Sequence, residues 1–177
     1  RLGAAFGAAG GEPTRRSPVI GRPHIAFGSP NKQDTAEAHG APRGRDEVQA
    51  TKRNLGWPSD EPFYVPARRE TGFLPDFTTV PEAILRRTVA AVFCSPSNPE
   101  SACASEAYWL ALFELADTYD FTVLADECYC EIYDEEPPLG AMDVRYRMHG
   151  DFERLLSFHS LSKRSSAPGL RSGFVVG

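Results

Sequence analysis

A single primary amine stands out in the second half of this sequence. Lys163 is the only lysine in residues 61–177, where the other strongly basic side chains are all arginines. A primary amine can condense with an aldehyde to form an imine, whereas a guanidinium cannot. Lys163 lies next to two hydroxyl side chains, Ser160 and Ser162, and eight residues before Arg171. This pattern predicts a Schiff-base site.

The residues around Lys163 indicate which aldehyde the site would take. The guanidinium of Arg171 suits a phosphate, which it binds through two parallel hydrogen bonds, and Ser160 and Ser162 add hydroxyl donors. A turn predicted at Pro168-Gly169 would bring Arg171 back towards Lys163. Pyridoxal 5′-phosphate combines an aldehyde with a phosphate, a ring nitrogen and a phenolic oxygen, so we expect this cofactor.

Two further candidate ligands, Asp126 and Tyr129, follow an apolar segment. A carboxylate at the end of a buried strand is costly unless a cation or several donors satisfy it, and a protonated pyridine nitrogen would do so. The phenol of Tyr129 would hydrogen-bond a ligand oxygen nearby. The structural alternatives are an aspartate that caps the following turn and a core tyrosine whose hydroxyl is satisfied.

The same residues give weaker support for a metal site or a hydrolase triad. Cys128 and Cys130 with Asp126 and His159 match no closed zinc pattern, so no metal site is predicted. A hydrolase triad of Ser162, His159 and Asp126 would lack the Gly-x-Ser-x-Gly turn that usually carries the serine.

An acidic run follows Asp126. Glu127 and Glu131 have the types needed for a carboxylate pair in acid–base catalysis. A solvated acidic stretch that continues to Glu136 is the interpretation we favour from the sequence.

Composition sets the broad class. The net charge is −5, with +3 in residues 1–60 and −8 in residues 61–177, which argues against a nucleic-acid partner. Four scattered cysteines are too few for a disulfide framework, so reduced thiols and a cytoplasmic location are expected. No segment has the pattern of a signal peptide, and the apolar runs are too short to span a membrane.

Strands alternate with helices after residue 61, which predicts an α/β fold with a mostly parallel sheet flanked by helices. Predicted strands cover residues 63–65, 89–94, 121–125, 154–158 and 174–176, and predicted helices cover residues 81–88 and 105–119. Asn98, Asp126 and the pair Ser160 and Lys163 then follow three strand ends. Ligands bind at that edge of open α/β sheets.

Residues 1–60 have a different texture. Glycine and proline make up a quarter of this segment, and no helical or strand period is sustained. The composition predicts either a disordered segment or one that is not native coding sequence.

Residues 61–177 resemble the central part of the large domain of class I/II aminotransferases, which are fold-type I pyridoxal-phosphate enzymes. Three blocks carry the resemblance, in family order and with 28 residues from Asn98 to Asp126 and 37 from Asp126 to Lys163. The blocks are Ser95-Pro96-Ser97-Asn98-Pro99, Ala125-Asp126-Glu127-Cys128-Tyr129 and Ser160 to Gly173. Within the family, residues 71–77, 126–133 and 159–173 are most similar to N-succinyldiaminopimelate aminotransferases of lysine biosynthesis.

The resemblance implies a role for each matching residue. Lys163 would form the imine with the cofactor and move the proton during transfer, and Asp126 would pair with the pyridinium nitrogen. Tyr129 and Asn98 would bond the phenolic oxygen, while Ser160, Ser162 and Arg171 would bind the phosphate. The reaction would pass an amino group from an amino acid, typically glutamate, to a keto acid.

The sequence also departs from the family. The family usually has a glycine within two residues of Asn98-Pro99, and Glu100 and Ser101 stand there instead. A loop that needs a positive φ would be strained by serine. No counterpart is found in residues 1–60 for the family's phosphate-binding turn or ring-stacking aromatic, and the small domain would follow Gly177. We therefore expect a fragment that is inactive alone, from a parent that is a homodimer.

Two other functions remain compatible with these residues. A pyridoxal-phosphate lyase or decarboxylase on the same fold would carry the same Lys163, Asp126 and Arg171. A non-catalytic, aminotransferase-like ligand-sensing domain behind a DNA-binding helix-turn-helix is disfavoured, because residues 1–60 show no helical period for such a reader.

Overall fold

The computed structural model describes residues 19–21, 24–39, 42–56 and 62–177. The chain divides into two compact units, one of residues 1–21 with 65–177 and one of residues 22–64. The helices and strands, in chain order, are β1 (Val19–Gly21), α1 (Arg45–Asn54), α2 (Glu82–Leu85), β2 (Ala90–Cys94), α3 (Glu106–Tyr119), β3 (Thr122–Asp126), α4 (Ala141–His149), β4 (Leu155–Ser160), α5 (Leu161–Arg164) and β5 (Gly173–Val176).

The larger unit is built on one sheet with the strand order β1-β5-β4-β3-β2. Strands β2, β3 and β4 are parallel, whereas β5 is antiparallel to β4 and β1 is antiparallel to β5. The backbone N–H of Leu161 donates to the carbonyl of Ser172 at 3.1 Å, so the β4–β5 connection leaves and returns at the same edge. This closure explains why β5 runs antiparallel, since a parallel strand would need a crossover to the opposite edge. The predicted α/β class is confirmed.

An aromatic and aliphatic core fills the space between the sheet and helices α3 and α4. Trp109 and Phe113 of α3 are fully buried, and the Trp109 ring lies 5.1 Å from that of Phe93 on β2. Ser105 begins α3 as predicted, because its hydroxyl accepts the backbone N–H of Tyr108 at 3.2 Å. This packing makes the strand ends a rigid support for the loops that follow them.

The opposite face of the sheet is more open. Val92 on β2 is 71% exposed, whereas its neighbours Ala91 and Phe93 point into the core and are buried. In the same row across the sheet, Leu124 and Leu156 are half-buried. Among the described residues, α3 and α4 therefore cover one face of the sheet and leave the other partly exposed.

The structure differs from the sequence prediction in several elements, among them residues 63–65, α4 and α1. The strand predicted over residues 63–65 is wrong, because that segment pairs with no strand in the described part of the chain. Helix α4 was not predicted because no local side chain caps it. The Glu127 carboxylate instead accepts the backbone N–H of Ala141 at 2.9 Å, from 14 residues away. Helix α1 lies in the first 60 residues, where the pattern predicted no helix.

The smaller unit is organised around α1. Glu47 on this helix accepts hydrogen bonds from the Ser29 hydroxyl and from the backbone and side-chain N–H groups of Asn31, the latter two at 2.8 Å. These bonds, with that from Ser29 foremost, lower the pKa of Glu47 to about 2. The carboxylate thus fastens residues 29–31 to the helix. In the described residues of either unit, no helix has both the length and the apolarity to cross a membrane.

Candidate active site

The three parallel strands place the predicted cofactor residues at one edge of the sheet. Asp126 is the last residue of β3 and Ser160 the last of β4, while Asn98 lies four residues beyond the end of β2. Parallel neighbours end on the same side, so the segments that follow all three strands start from one edge.

Asn98 and Tyr129 are brought together directly. The side-chain amide of Asn98 donates to the Tyr129 hydroxyl at 3.0 Å, across 31 residues of sequence. Both line a cavity of about 260 Å³. The phenol still has its own proton to donate, so the pair can present a hydrogen-bond donor to a ligand oxygen.

Asp126 is half-buried, and few hydrogen bonds satisfy its carboxylate. Its Oδ1 accepts the backbone N–H of Cys128 at 3.2 Å, which is the turn-capping bond that the structural alternative required. Within the described residues, no arginine, lysine or histidine forms an ion pair with it. The carboxylate therefore has free lone pairs for a cationic N–H donor.

The thiols beside Asp126 are held in their protonated form. Burial, reinforced by the Asp126 charge, raises the pKa of Cys94 to about 11. Burial and the hydrogen bond to Asp126 raise the pKa of Cys128 to about 12. Since metal ligands and nucleophiles are thiolates, these cysteines are poorly suited to either role at neutral pH.

Ser160, Ser162 and Arg171 converge around α5. The Ser160 hydroxyl caps this short helix by accepting the backbone N–H of Ser162 at 3.2 Å. Arg171 Nη1 donates to the Ser162 hydroxyl at 3.2 Å and to the Pro168 carbonyl at 2.9 Å. The predicted turn thus does bring the guanidinium back to the segment that carries Lys163.

Lys163 is exposed on α5, next to Ser162. Its helix stays close to the sheet because β5 approaches β4 tightly at Gly173, the Cα partner of Ser160. A Cβ at Gly173 would stand 2.5 Å from the His159 carbonyl oxygen, so a larger residue would push the strands apart. The glycine thereby allows the close β4–β5 pairing that closes the segment carrying Lys163 and Arg171.

The hydrogen bonds of the described residues join these side chains as two separate sets. One is Asn98 with Tyr129, and the other is Ser162 with Ser160 and Arg171. The hypothetical triad of Ser162, His159 and Asp126 is not assembled, because His159 Nε2 contacts Ser157 at 2.9 Å instead. A molecule with several polar groups would be needed to link the two sets with Asp126 and Lys163.

The interpretation of Glu127 as part of a solvated acidic run is wrong. Glu127 is 3% exposed and accepts hydrogen bonds from the Ala141 N–H and the Ser157 hydroxyl. Its neighbour Glu131 is exposed, as expected. Sequence reasoning also missed Ser157, whose position two residues before His159 on the inward side of β4 was the available signal.

The chain resembles known proteins over most of its length. The family model for class I and II aminotransferases matches residues 50–177. The chain belongs to this family. A second family model, for the thiamine diphosphate binding domain of transketolase, matches residues 2–76, which is less than half of the chain. This second match assigns no family.

Relatives and solved structures agree with the aminotransferase family. An LL-diaminopimelate aminotransferase of Aquifex aeolicus is 33% identical over 66% of this chain and 29% of its own length. An aminotransferase of Neisseria meningitidis is 36% identical with a TM-score of 0.62, over 74% of this chain and 33% of that one. A probable N-succinyldiaminopimelate aminotransferase of Thermus thermophilus is 27% identical with a TM-score of 0.59, over 75% and 33%.

The chain spans about a third of the length of these aminotransferases. The family resemblance predicted from the three sequence blocks is confirmed. Aminotransferases of class I and II generally depend on pyridoxal phosphate. The roles of individual residues towards that cofactor stay predictions.

Proposed function

We propose that residues 61–177 are part of the pyridoxal-phosphate-binding domain of an aminotransferase, and that residues 1–60, apart from β1, which pairs with β5, form a separate segment. The observation that carries the proposal is the convergence at one sheet edge of an acid, a phenol–amide pair, a guanidinium–hydroxyl pair and one primary amine. Because the chain spans about a third of its relatives, their activity is carried over as part of the proposal.

The chemistry of the side chains fits the cofactor. Asp126 lacks an ion-pair partner in the described residues and can accept from a pyridinium N–H. Tyr129, with Asn98 at 3.0 Å, can donate to a phenolic oxygen. Arg171 and Ser162, 3.2 Å apart, can share a phosphate as donors. Each of the cofactor's polar groups thus has a complementary group in the chain.

Each residue would have a distinct role in the reaction. When bound, pyridoxal phosphate supplies the electron sink that lets an amino group pass between an amino acid and a keto acid. Lys163 would hold the cofactor through its side-chain amine, and the amine of Lys163 would take and return the substrate α-proton. Ser160 would hold α5, and with it the phosphate donors, in place.

A more specific proposal concerns the amino donor and the acceptor. We infer glutamate as the amino donor and a keto acid of the diaminopimelate branch of lysine biosynthesis as the acceptor. The support is the name of the Aquifex relative and of the Thermus structure, together with the similarity of residues 71–77, 126–133 and 159–173 to N-succinyldiaminopimelate aminotransferases. A cytoplasmic location, and a homodimer for the full-length protein, belong to the same proposal.

The first test measures covalent attachment of the cofactor. The chain is incubated with pyridoxal phosphate, its visible spectrum is recorded, and borohydride reduction is followed by peptide mass spectrometry. We expect a pyridoxyl group on Lys163 and no shifted visible band in Lys163→Ala. Lys52→Ala, which changes a lysine of the smaller unit, should behave as wild type. Labelling spread over other lysines, with the band kept in Lys163→Ala, would contradict the assignment.

The second test separates amino-group transfer from the lyase alternative. With glutamate, transfer yields 2-oxoglutarate and an aminated cofactor, whereas decarboxylation releases carbon dioxide. Because the chain alone is expected to be inactive, the test uses the full-length protein, for which we expect 2-oxoglutarate, measured with a coupled dehydrogenase. Carbon dioxide release without 2-oxoglutarate would contradict the proposed reaction.

A further inference from the structure

A second row of hydrogen-bonded side chains lies behind the predicted cofactor residues. It consists of Glu127, Cys130, Ser157, His159 and Arg164, and its centre is formed by Glu127, Ser157 and His159. The first two are 3% and 0% exposed, and the His159 side chain is 12% exposed. The Ser157 hydroxyl donates to Glu127 Oε2, and His159 Nε2 lies 2.9 Å from the Ser157 oxygen. None of these three residues has a task in the proposed function.

The direction of these hydrogen bonds indicates which ring nitrogen of His159 carries the proton. The Ser157 hydroxyl proton is donated to Glu127, so the serine oxygen must accept from His159. The imidazole therefore carries its proton on Nε2 and offers Nδ1 as an acceptor. Cys130 Sγ lies 3.7 Å from Nδ1 and can donate its thiol proton there. Every donor in the row then has an acceptor while His159 is neutral.

The surrounding charges are consistent with that state. Burial is the main cause that lowers the pKa of His159, and the Arg164 cation lowers it further. The carboxylates of Glu127, Asp126 and Glu131 act in the opposite direction but do not outweigh the burial. Burial likewise raises the pKa of Cys130, so a neutral thiol faces a neutral imidazole.

The row has a regular relation to the site. Apart from Ser157, the polar residues Glu127, Cys130, His159 and Arg164 are each the chain neighbour of a predicted cofactor residue. Arg164 joins it through Nη1, 3.7 Å from Cys130 Sγ, and through an ion pair with Glu131 at 3.1 Å. The four neighbouring pairs are Asp126–Glu127, Tyr129–Cys130, Ser160–His159 and Lys163–Arg164.

His159 also contacts the strand that follows Arg171. Its ring stacks on Phe174 of β5 with centroids 4.8 Å apart and an interplanar angle of 18°. The Arg164 guanidinium lies 5.7 Å from the centroid of the same Phe174 ring. His159 thus lies on β4, which ends at Ser160, contacts Cys130 in the turn after Asp126, and contacts β5, the strand that follows Arg171.

We propose that His159 is a positioning residue, which holds these segments in register so that their neighbours can bind the cofactor together. The proposal rests on the proposed function, because it assigns a task to the side chains behind that same site. Loss of the two ring nitrogens would remove the bonds of His159 to Ser157 and Cys130. Among the described side chains, Ser157 would then be bonded only to Glu127 and Cys130 only to Arg164. The turn at residues 126–130 would then be held less firmly to the end of β4.

Two substitutions test the role. His159→Phe keeps the ring and its stacking on Phe174 but removes both hydrogen bonds, and we expect its dissociation constant for pyridoxal phosphate to rise about tenfold, as is typical when groups behind a binding residue are lost. His159→Gln restores a donor near the Nε2 position and should recover part of the affinity. His149→Phe is the control, because His149 bonds Asp117 at the opposite edge of the sheet and should leave binding unchanged.

A measurement on the cofactor-free chain tests the positioning role of His159 independently of the proposed function. Nitrogen-15 spectra of His159 should show the Nε2–H tautomer and titration below the ordinary histidine pKa, and His159→Phe should shift the backbone amides of Asp126 and Ser160. A proton on Nδ1, unmoved amides, or wild-type cofactor affinity in a folded His159→Phe would overturn the positioning role. If the wild-type chain bound no cofactor, the proposed function would fail. The tautomer and amide shifts would still decide the role of His159, and His159→Gln would replace the phenylalanine variant if that variant did not fold.

Discussion

Ser101 occupies a backbone conformation that favours glycine. Its φ is +57°, in the left-handed region, at the position where the sequence comparison expected a family glycine. The loop is held there because the Ser101 N–H donates to the Ser97 carbonyl at 3.0 Å and the Ala102 N–H donates to the Ser97 hydroxyl at 3.0 Å. A residue with a Cβ pays about 1 kcal/mol for this conformation.

Ser101→Gly should therefore raise the free energy of unfolding by about 1 kcal/mol, seen as a higher midpoint in denaturant. Ser101→Ala is the matched control, since it removes the hydroxyl but keeps the Cβ, and it should give no comparable gain. Equal midpoints for the glycine and alanine variants would show that φ is not the cause.

Sequence reasoning worked at the residue scale where a residue follows a strand end. Asp126 and Ser160 could be placed at one edge because the order of strands and turns fixes the edge, whatever the side chains do. Glu127 could not be placed, because its burial depends on two partners, Ala141 and Ser157, that lie 14 and 30 residues away. A local pattern does not contain such contacts.

At the scale of elements, a buried arginine strengthens the contact between α3 and α4. Arg145 on α4 is 2% exposed and makes two hydrogen bonds to Asp117 on α3, at 2.7 and 2.9 Å. The Arg145 guanidinium also lies 5.4 Å from the centroid of the Phe113 ring. The bonds from Arg145 hold the pKa of Asp117 below its ordinary value. Removing the carboxylate would leave a buried charge without its partner.

Asp117→Asn should lower the free energy of unfolding by about 3 kcal/mol at pH 7. Because the folded-state pKa of Asp117 is lowered, the stabilisation is complete above about pH 4 and is lost as the pH falls through the folded-state value. The difference between variant and wild type should therefore shrink in acid, as measured by urea unfolding at several pH values. Asp143→Asn removes an exposed pair with Arg147 and should cost less than about 1 kcal/mol. A pH-independent difference for Asp117→Asn would contradict this account.

The sequence predicted those helices and strands whose caps and apolar patterns come from neighbouring residues. Helix α3 has its own cap in Ser105 and a continuous apolar face, so its bounds agree with the prediction to within a residue. Helix α4 has Gly140 at its cap position and a buried arginine on its inner face. Both features take their partners from distant segments, which explains why the sequence pattern did not reveal the helix.

At the scale of the whole molecule, the open face of the sheet predicts self-association. Val92 is 71% exposed on β2, which ends the strand order among the described residues. Exposed apolar strands at a sheet edge pair readily with other chains. The average mass from light scattering should rise with concentration, and Val92→Lys should suppress the rise. Val48→Lys, at an exposed valine of the smaller unit, should not. A constant monomer mass for the wild type would refute the prediction.

The pairing of each proposed cofactor residue with a neighbour in the row behind it limits how this segment can change in evolution. In extended backbone, adjacent side chains face opposite ways. Deleting one residue within β3 would present Glu127 where Asp126 stands, and inserting one residue within β4 would present His159 where Ser160 stands. Insertions and deletions within these strands should therefore be absent from functional relatives.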